Sequence, residues 1–126
     1  MNFINQVEPY VTEREGTAVA EYLRSGGWLT EFHETKKFAA MIAEFVGSAH
    51  CDIVTSGTAA LYLSLLAVGV GPGDSVIVPD FTMIATPNAV KWAGADVILC
   101  DVEPETLCLD LDKVRLQPNT KALIYV

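Results

Sequence analysis

The chain is short of positive charge. Eight lysines and arginines stand against sixteen aspartates and glutamates, a net charge of −8. That balance excludes nucleic acid as the main partner, because holding a phosphate backbone needs a basic surface. It leaves room for a small anion held locally by backbone N–H groups. No apolar run reaches the ~18 residues of a membrane span, so no membrane partner is expected. The start, Met1-Asn2-Phe3-Ile4-Asn5-Gln6, has neither the basic nor the apolar region of a secretory signal. Cysteine is scarce and odd in number: Cys51, Cys100 and Cys108, with no pair at metal-ligand spacing. Cys51 and Cys100 sit in apolar runs and read as buried free thiols of a cytoplasmic protein.

The familiar catalytic signatures are missing too. There is no G-x-S-x-G, H-E-x-x-H, Walker loop or G-x-G-x-x-G. Gly69-Val70-Gly71-Pro72-Gly73 precedes a strand rather than opening a helix, so it is no dinucleotide fingerprint. His33 and His50 have no carboxylate at triad or metal spacing, and no metal site is expected.

What remains is a folded α/β chain. Hydrophobic residues make up 51% and charged residues 19%, which excludes intrinsic disorder. With 126 residues, one domain with a real core is expected. Thr12-Glu13-Arg14-Glu15 fits a capping box, and Val11, Ala18, Val19, Tyr22 and Leu23 follow at helical spacing up to Ser25-Gly26-Gly27. A second helix is predicted over about Glu34 to Val46. Its stripe is Phe38, Met41, Ile42 and Phe45, and Gly47 ends it.

From residue 51 the texture changes. Ile53-Val54-Thr55 reads as a short buried strand, Ser56-Gly57-Thr58 as a turn, and Ala59 to Val68 as a helix buried on most sides. Ser75 to Val78, Asp96 to Cys100 and Lys121 to Val126 read as further strands. A helix over about Ile84 to Ala93 and a short one near Leu111 to Leu116 lie between them. Strands alternating with helices imply parallel βαβ units, and continuous apolar strands imply helices on both faces. The division expected is a helical segment over 1–50 and βα units over 51–126. Domains rarely stop on an apolar strand such as Leu123-Ile124-Tyr125-Val126, so an incomplete sheet and a truncated chain are expected.

Three places can carry chemistry. At Thr55-Ser56-Gly57-Thr58-Ala59 a strand gives way to a helix, whose first N–H groups lack internal partners and lie at the positive end of its dipole. Such an end receives a phosphate, though Ser56 or Thr55 as a simple cap accounts for the same residues. Pro79-Asp80-Phe81-Thr82-Met83-Ile84 lies at the carboxyl end of a parallel strand, where open α/β sheets bind ligands. There Phe81 and Met83 offer faces for a flat ring. The plainer alternative is a helix capped by Asp80 or Thr82, with Phe81 in the core. Trp28, in a glycine-bracketed loop, suits either a ligand anchor or an ordinary half-buried aromatic.

Taken in order, these residues resemble a known family. They are Ser25-Gly-Gly-Trp-Leu-Thr30, Phe45-Val-Gly47, Ser56-Gly-Thr-Ala-Ala-Leu61, Gly71-Pro-Gly-Asp74, Val78-Pro-Asp-Phe-Thr82 with Ala85-Thr86, Asn88-Ala-Val90, Gly94-Ala95, Asp101-Val-Glu-Pro104 with Thr106, and Thr120-Lys-Ala-Leu-Ile124. The chain is similar to the N-terminal part of the DegT/DnrJ-type sugar aminotransferases, the group that includes perosamine synthetases. The resemblance implies the large domain of a fold-type-I enzyme dependent on pyridoxal 5′-phosphate (PLP). It implies a homodimer that moves an amino group from glutamate to a nucleotide-linked keto sugar, in amino-sugar or surface-polysaccharide synthesis.

Residue by residue, Thr58 and Ala59 match the positions whose hydroxyl and backbone N–H hold the cofactor phosphate, and Gly57 before them has no Cβ to keep a ligand off. Met83 matches the position covering the pyridine ring, where many members carry an aromatic. Phe32 stands where members often have glycine. The lysine for the Schiff base and the acidic partner of the pyridine nitrogen have no counterpart here, since none of Lys36, Lys37, Lys91, Lys113 and Lys121 sits in the family's lysine motif. The chain alone is therefore expected to be inactive, with no catalytic residue of its own. The other reading is a standalone anion-binding α/β module or interaction protein. The resemblance also implies a sheet order: the strand at 75–78 between those at 97–100 and 122–126, and residues 53–55 paired with none of them.

Overall fold

A computed structural model describes residues 4, 5, 7–29 and 33–126. Thr30 and Phe32, quoted above, lie outside the described residues. The chain divides into two compact units, residues 1–53 and 54–126.

The first unit holds α1 (Glu13–Arg24) and α2 (His33–Val46). The capping box forms as expected. The Thr12 hydroxyl accepts from the Arg14 N–H at 3.2 Å, and the Glu15 carboxylate accepts from the Thr12 N–H at 2.7 Å. These bonds to its charged form hold the Glu15 carboxyl below the usual carboxylate range, with the Thr12 hydroxyl the largest cause. Gly47 ends α2 at φ +70°, and the Ser48 N–H reaches back to the Ala43 carbonyl at 2.9 Å, the pattern of a left-handed C-terminal stop. Neither helix contains a buried residue; of the predicted stripes Phe38, Met41 and Phe45 are exposed, while Tyr22 and Ile42 are half-buried.

The second unit holds α3 (Gly57–Ala67), β1 (Ser75–Pro79), α4 (Ala85–Trp92), β2 (Asp96–Cys100), a single 3-10 turn at Leu111–Lys113 and β3 (Thr120–Leu123). Its three strands form one parallel sheet in the order β2-β1-β3, the order the resemblance implies. β1 is buried at all five positions because it has a strand on each side and packed chain on both faces. The alternation of strand side chains divides the core. Val76, Val78, Val97, Ala122 and Ile124 join Leu61, Tyr62 and Leu65 of α3 and Ala89 and Val90 of α4 on one face. Ile77, Ile98 and Cys100 join Leu109 and Val114 on the other. The second face is thus covered by the segment after β2, which carries the 3-10 turn.

Several expectations need correction. Residues 53–55 pair with none of the three strands, as the resemblance implies, and without a partner they do not count as the short strand expected there among the described residues. The turn expected at 56–58 is instead the start of α3. That helix is not buried on most sides. Only Leu65 is buried while Leu63 and Leu66 are exposed, because only one side of the helix, carrying Leu61, Tyr62 and Leu65, meets the core within this unit. The last strand is shorter than predicted. The Ile124 N–H still bonds to the Ile77 carbonyl at 2.9 Å, but the next ladder donor on β1 would be Pro79, which has no N–H. All three cysteines are free, with Cys100 buried and Cys51 and Cys108 half-buried.

Candidate functional site

The candidate site belongs to the second unit. α3 and α4 run in the same direction. Their carboxyl ends meet where Gly94, at φ +81°, packs against Pro72. Tyr62 and Trp92 cross edge to face with centroids 6.2 Å apart. Both helices end beside the amino ends of the strands, where the Asp96 N–H bonds to the Asp74 carbonyl at 2.9 Å. Their amino ends therefore open at the carboxyl end of the sheet, where open α/β folds bind ligands.

At the first of these ends Ser56 is the N-cap, and its hydroxyl accepts from the Ala59 N–H at 3.2 Å. The capping alternative thus holds for Ser56, and it uses one of the N–H groups assigned to an anion. The Gly57 and Thr58 N–H groups and the Thr58 hydroxyl have no protein acceptor or donor among the described residues. A Cβ built on Gly57 meets nothing within 4 Å. Two backbone donors and one hydroxyl are therefore unbonded at the positive end of an eleven-residue helix, with open space beside Gly57.

At the second end the Asp80–Ile84 loop joins β1 to α4. Neither Asp80 nor Thr82 caps α4, whose N-cap is Ile84 without a side-chain bond. The Asp80 N–H bonds to the Cys100 carbonyl at 2.9 Å, and the Thr82 hydroxyl meets the Thr86 hydroxyl at 3.1 Å. Phe81 is not in the core. It is 61% exposed, Met83 76% and Ile84 70%. The large apolar side chains of this loop are thus displayed at the surface of the unit rather than packed in its core. The outward reading of Phe81 and Met83 therefore holds over the core alternative, while the Thr82–Thr86 pair was not foreseen. A pair of threonines at i, i+4 in an apolar stretch was the available signal.

Trp28 lies in the first unit and is 73% exposed. Its carbonyl accepts from the Tyr22 hydroxyl at 2.6 Å, and Gly27 is needed beneath that ring, since a Cβ there would stand 2.6 Å from Tyr22 Cζ.

None of the lysines of the second unit is presented as a free amine at the carboxyl end of the sheet. Lys91 pairs with Asp96 at 3.3 Å, at the opposite end. Lys121 sits in the irregularity between Thr120 and Ala122, at the amino end of β3. Lys113 bridges Asp101 and Asp110. Its bond to the Asp101 carboxylate raises its pKa, and the same bond lowers that of Asp101. A nucleophilic lysine needs the opposite shift. No group of acidic, histidine or cysteine side chains that could hold a metal ion occurs among the described residues. No helix there is long and apolar enough to cross a membrane.

A cofactor bearing a phosphate and a flat ring fits this end of the unit in part. The first turn of α3 suits the phosphate, and the exposed Met83 thioether suits the ring. The comparisons with known proteins point the same way. L-glutamine:2-deoxy-scyllo-inosose aminotransferases of Streptomyces lividus and Streptomyces kanamyceticus are 41% and 40% identical to this chain. The alignments cover 86% and 95% of this chain but 28% and 30% of those proteins, so the chain spans about three tenths of the curated relatives it matches. Among solved structures, the aminotransferase TlmJ of Streptoalloteichus hindustanus aligns with a TM-score of 0.83 at 38% identity, over 97% of this chain and 34% of that one. Spr1654 of Streptococcus pneumoniae, assigned as a sugar aminotransferase, aligns in its apo form with a TM-score of 0.87 at 34% identity, over 97% of this chain and 31% of that one. The same protein matches in its PLP and PMP forms, and enzymes of the family bind PLP. The fold is thus that of the N-terminal part of a fold-type-I aminotransferase, and by a match over residues 9–126 the chain belongs to the DegT/DnrJ/EryC1/StrS aminotransferase family.

Proposed function

We propose that this chain provides the phosphate seat and one ring-facing side chain of a cytoplasmic, homodimeric, PLP-dependent sugar aminotransferase. The substrate in this reading is a nucleotide-linked keto sugar and the amino donor is glutamate. The observation that carries it is the pair of outward N–H groups at Gly57 and Thr58, opening at the same end of the sheet as the exposed Met83. Bound there, PLP supplies an electron sink that lets an amino group pass from a donor to a ketone. Gly57 lets the backbone come close to the phosphate, and Thr58 adds a hydroxyl donor. Ala59 holds the turn through its bond to Ser56. Met83 packs its thioether on the ring, a contact of roughly 0.3–1.5 kcal/mol.

In this reading the 126 residues do not transfer amino groups by themselves, because none of Lys36, Lys37, Lys91, Lys113 and Lys121 stands in the family's Schiff-base motif. The test is to add PLP, reduce with borohydride and map the label. Scattered, substoichiometric labelling is expected, and a single stoichiometric lysine adduct would contradict the reading.

A second reading of the substrate has a specific support. The curated relatives are named for glutamine and for a ketone of a free cyclitol. Ligand-observed NMR on this chain separates the two. Saturation transfer to a nucleotide-linked keto sugar but not to a free keto-cyclitol supports the first, and the reverse supports the second.

A further inference from the structure

We propose that Thr86 is a positioning residue that holds Met83 in place for the cofactor ring, an inference that rests on the reading of the site given above. Thr86 is 3% exposed and is, with Ser75, one of two buried polar residues among those described. A hydroxyl placed there has a cost unless it is bonded. Its partner is the Thr82 hydroxyl at 3.1 Å, and its own N–H takes the Met83 carbonyl at 2.9 Å. One residue in the first turn of α4 therefore grips the preceding loop twice, once on each side of the Thr82–Met83 peptide.

The usual direction of capping is reversed. Ile84 makes no side-chain cap, so the helix holds the loop rather than the loop holding the helix. The other end of the loop is fixed by the Asp80 N–H on the Cys100 carbonyl. Between these anchors Phe81, Met83 and Ile84 stand exposed. A loop tied by two backbone bonds and one side-chain bond while its large apolar side chains stand exposed is built to present a surface. Methionine is a flexible side chain and gains most from a fixed backbone. Without the Thr86 hydroxyl, Thr82 loses its partner and Met83 is carried on a looser turn.

The test is NMR of the full chain labelled on backbone amides and methionine methyls. It is titrated with pyridoxine 5′-phosphate, which lacks the aldehyde and cannot label lysines, and separately with inorganic phosphate. In the unaltered chain, pyridoxine phosphate moves both the Met83 methyl and the Gly57–Ala59 amides. In Thr86→Val, inorganic phosphate still moves Gly57–Ala59 as before, while the apparent dissociation constant for pyridoxine phosphate rises about fivefold, the worth of one ordinary hydrogen bond. The Met83 response fades with it, and Thr86→Ser restores both. Thr82→Val removes the same bond from the half-buried side and gives the same result should Thr86→Val fold poorly. Equal Met83 responses in the unaltered chain and both valine variants would overturn the positioning role and leave the site standing. A silent Met83 in the unaltered chain, with Gly57–Ala59 responding, would overturn the ring contact and this inference with it.

Discussion

Pro72 and Gly94 meet where α3 and α4 end, so closely that a Cβ on Gly94 would stand 3.0 Å from Pro72 Cγ. This contact brings the carboxyl ends of the two helices together and so puts both amino ends at the other end of the sheet. Gly94 also has φ +81°, a conformation costly for any residue with a Cβ. Gly94→Ala is therefore expected to destabilise the chain by about 1–3 kcal/mol. Urea unfolding checks this, and an unchanged midpoint would mean that the helix ends are free to part.

Gly57 makes the opposite case. Its φ is unexceptional and a Cβ there meets open space. Gly57→Ala should raise stability slightly, by less than the ~1 kcal/mol that separates the two residues inside a helix. It should at the same time weaken phosphate binding, because the methyl takes the space the anion needs. Thermal melts read the first effect and a phosphate titration the second.

Ser56 spends its hydroxyl on the Ala59 N–H. Ser56→Ala removes the cap and should cost about 1 kcal/mol. It also releases that N–H, so phosphate should protect the variant against unfolding more than it protects the unaltered chain. Melts with and without phosphate test both halves of the statement.

Stability should fall on both sides of neutral pH. The carboxyls of Glu15 and Asp101 are held low, by Thr12 and by Lys113 respectively. A carboxyl with a lowered folded value contributes stability above its unfolded value, and loses it as pH falls through the folded one. Lys113 is raised by Asp101, so its contribution is complete below its unfolded value and is lost as pH rises through the folded one. All three groups are exposed, so both arms should be small and should shrink with salt. Asp101→Asn should remove the Lys113 part of the alkaline arm, leaving the part from Tyr125, which Cys108 raises, and should leave the Glu15 part of the acid arm. An alkaline arm unchanged in that variant would count against the Lys113 clasp.

Much of this was legible in the residues. Thr12 and Glu15 announced their capping box, and Gly47 its helix end, because both signals are local. β2 was readable to the residue, bounded by Ala95 and Asp101. The failures share a physical cause. Ile53-Val54-Thr55 and the apolar α3 were judged by composition, but what makes a strand or buries a helix is the neighbour, which composition does not name. The end of β3 depended on Pro79, forty-odd residues away, lacking an N–H for the ladder. At the site, the helix start and its cap were visible as two competing readings of the same residues. The structure has room for both, Ser56 as cap and Gly57 and Thr58 as free donors. For Phe81 a ring-facing place and a core place both stood open, because an apolar residue after a buried strand suits either until the turn geometry is known.

In the proposed function the first turn of α3 seats a phosphate. Two-dimensional NMR of the backbone amides during a titration with inorganic phosphate tests it most directly. The account predicts that the Gly57 and Thr58 amides move most, saturably, and that Thr58→Val weakens the binding by about 0.5–1.5 kcal/mol. Shifts located elsewhere, with residues 56–60 silent, would contradict it.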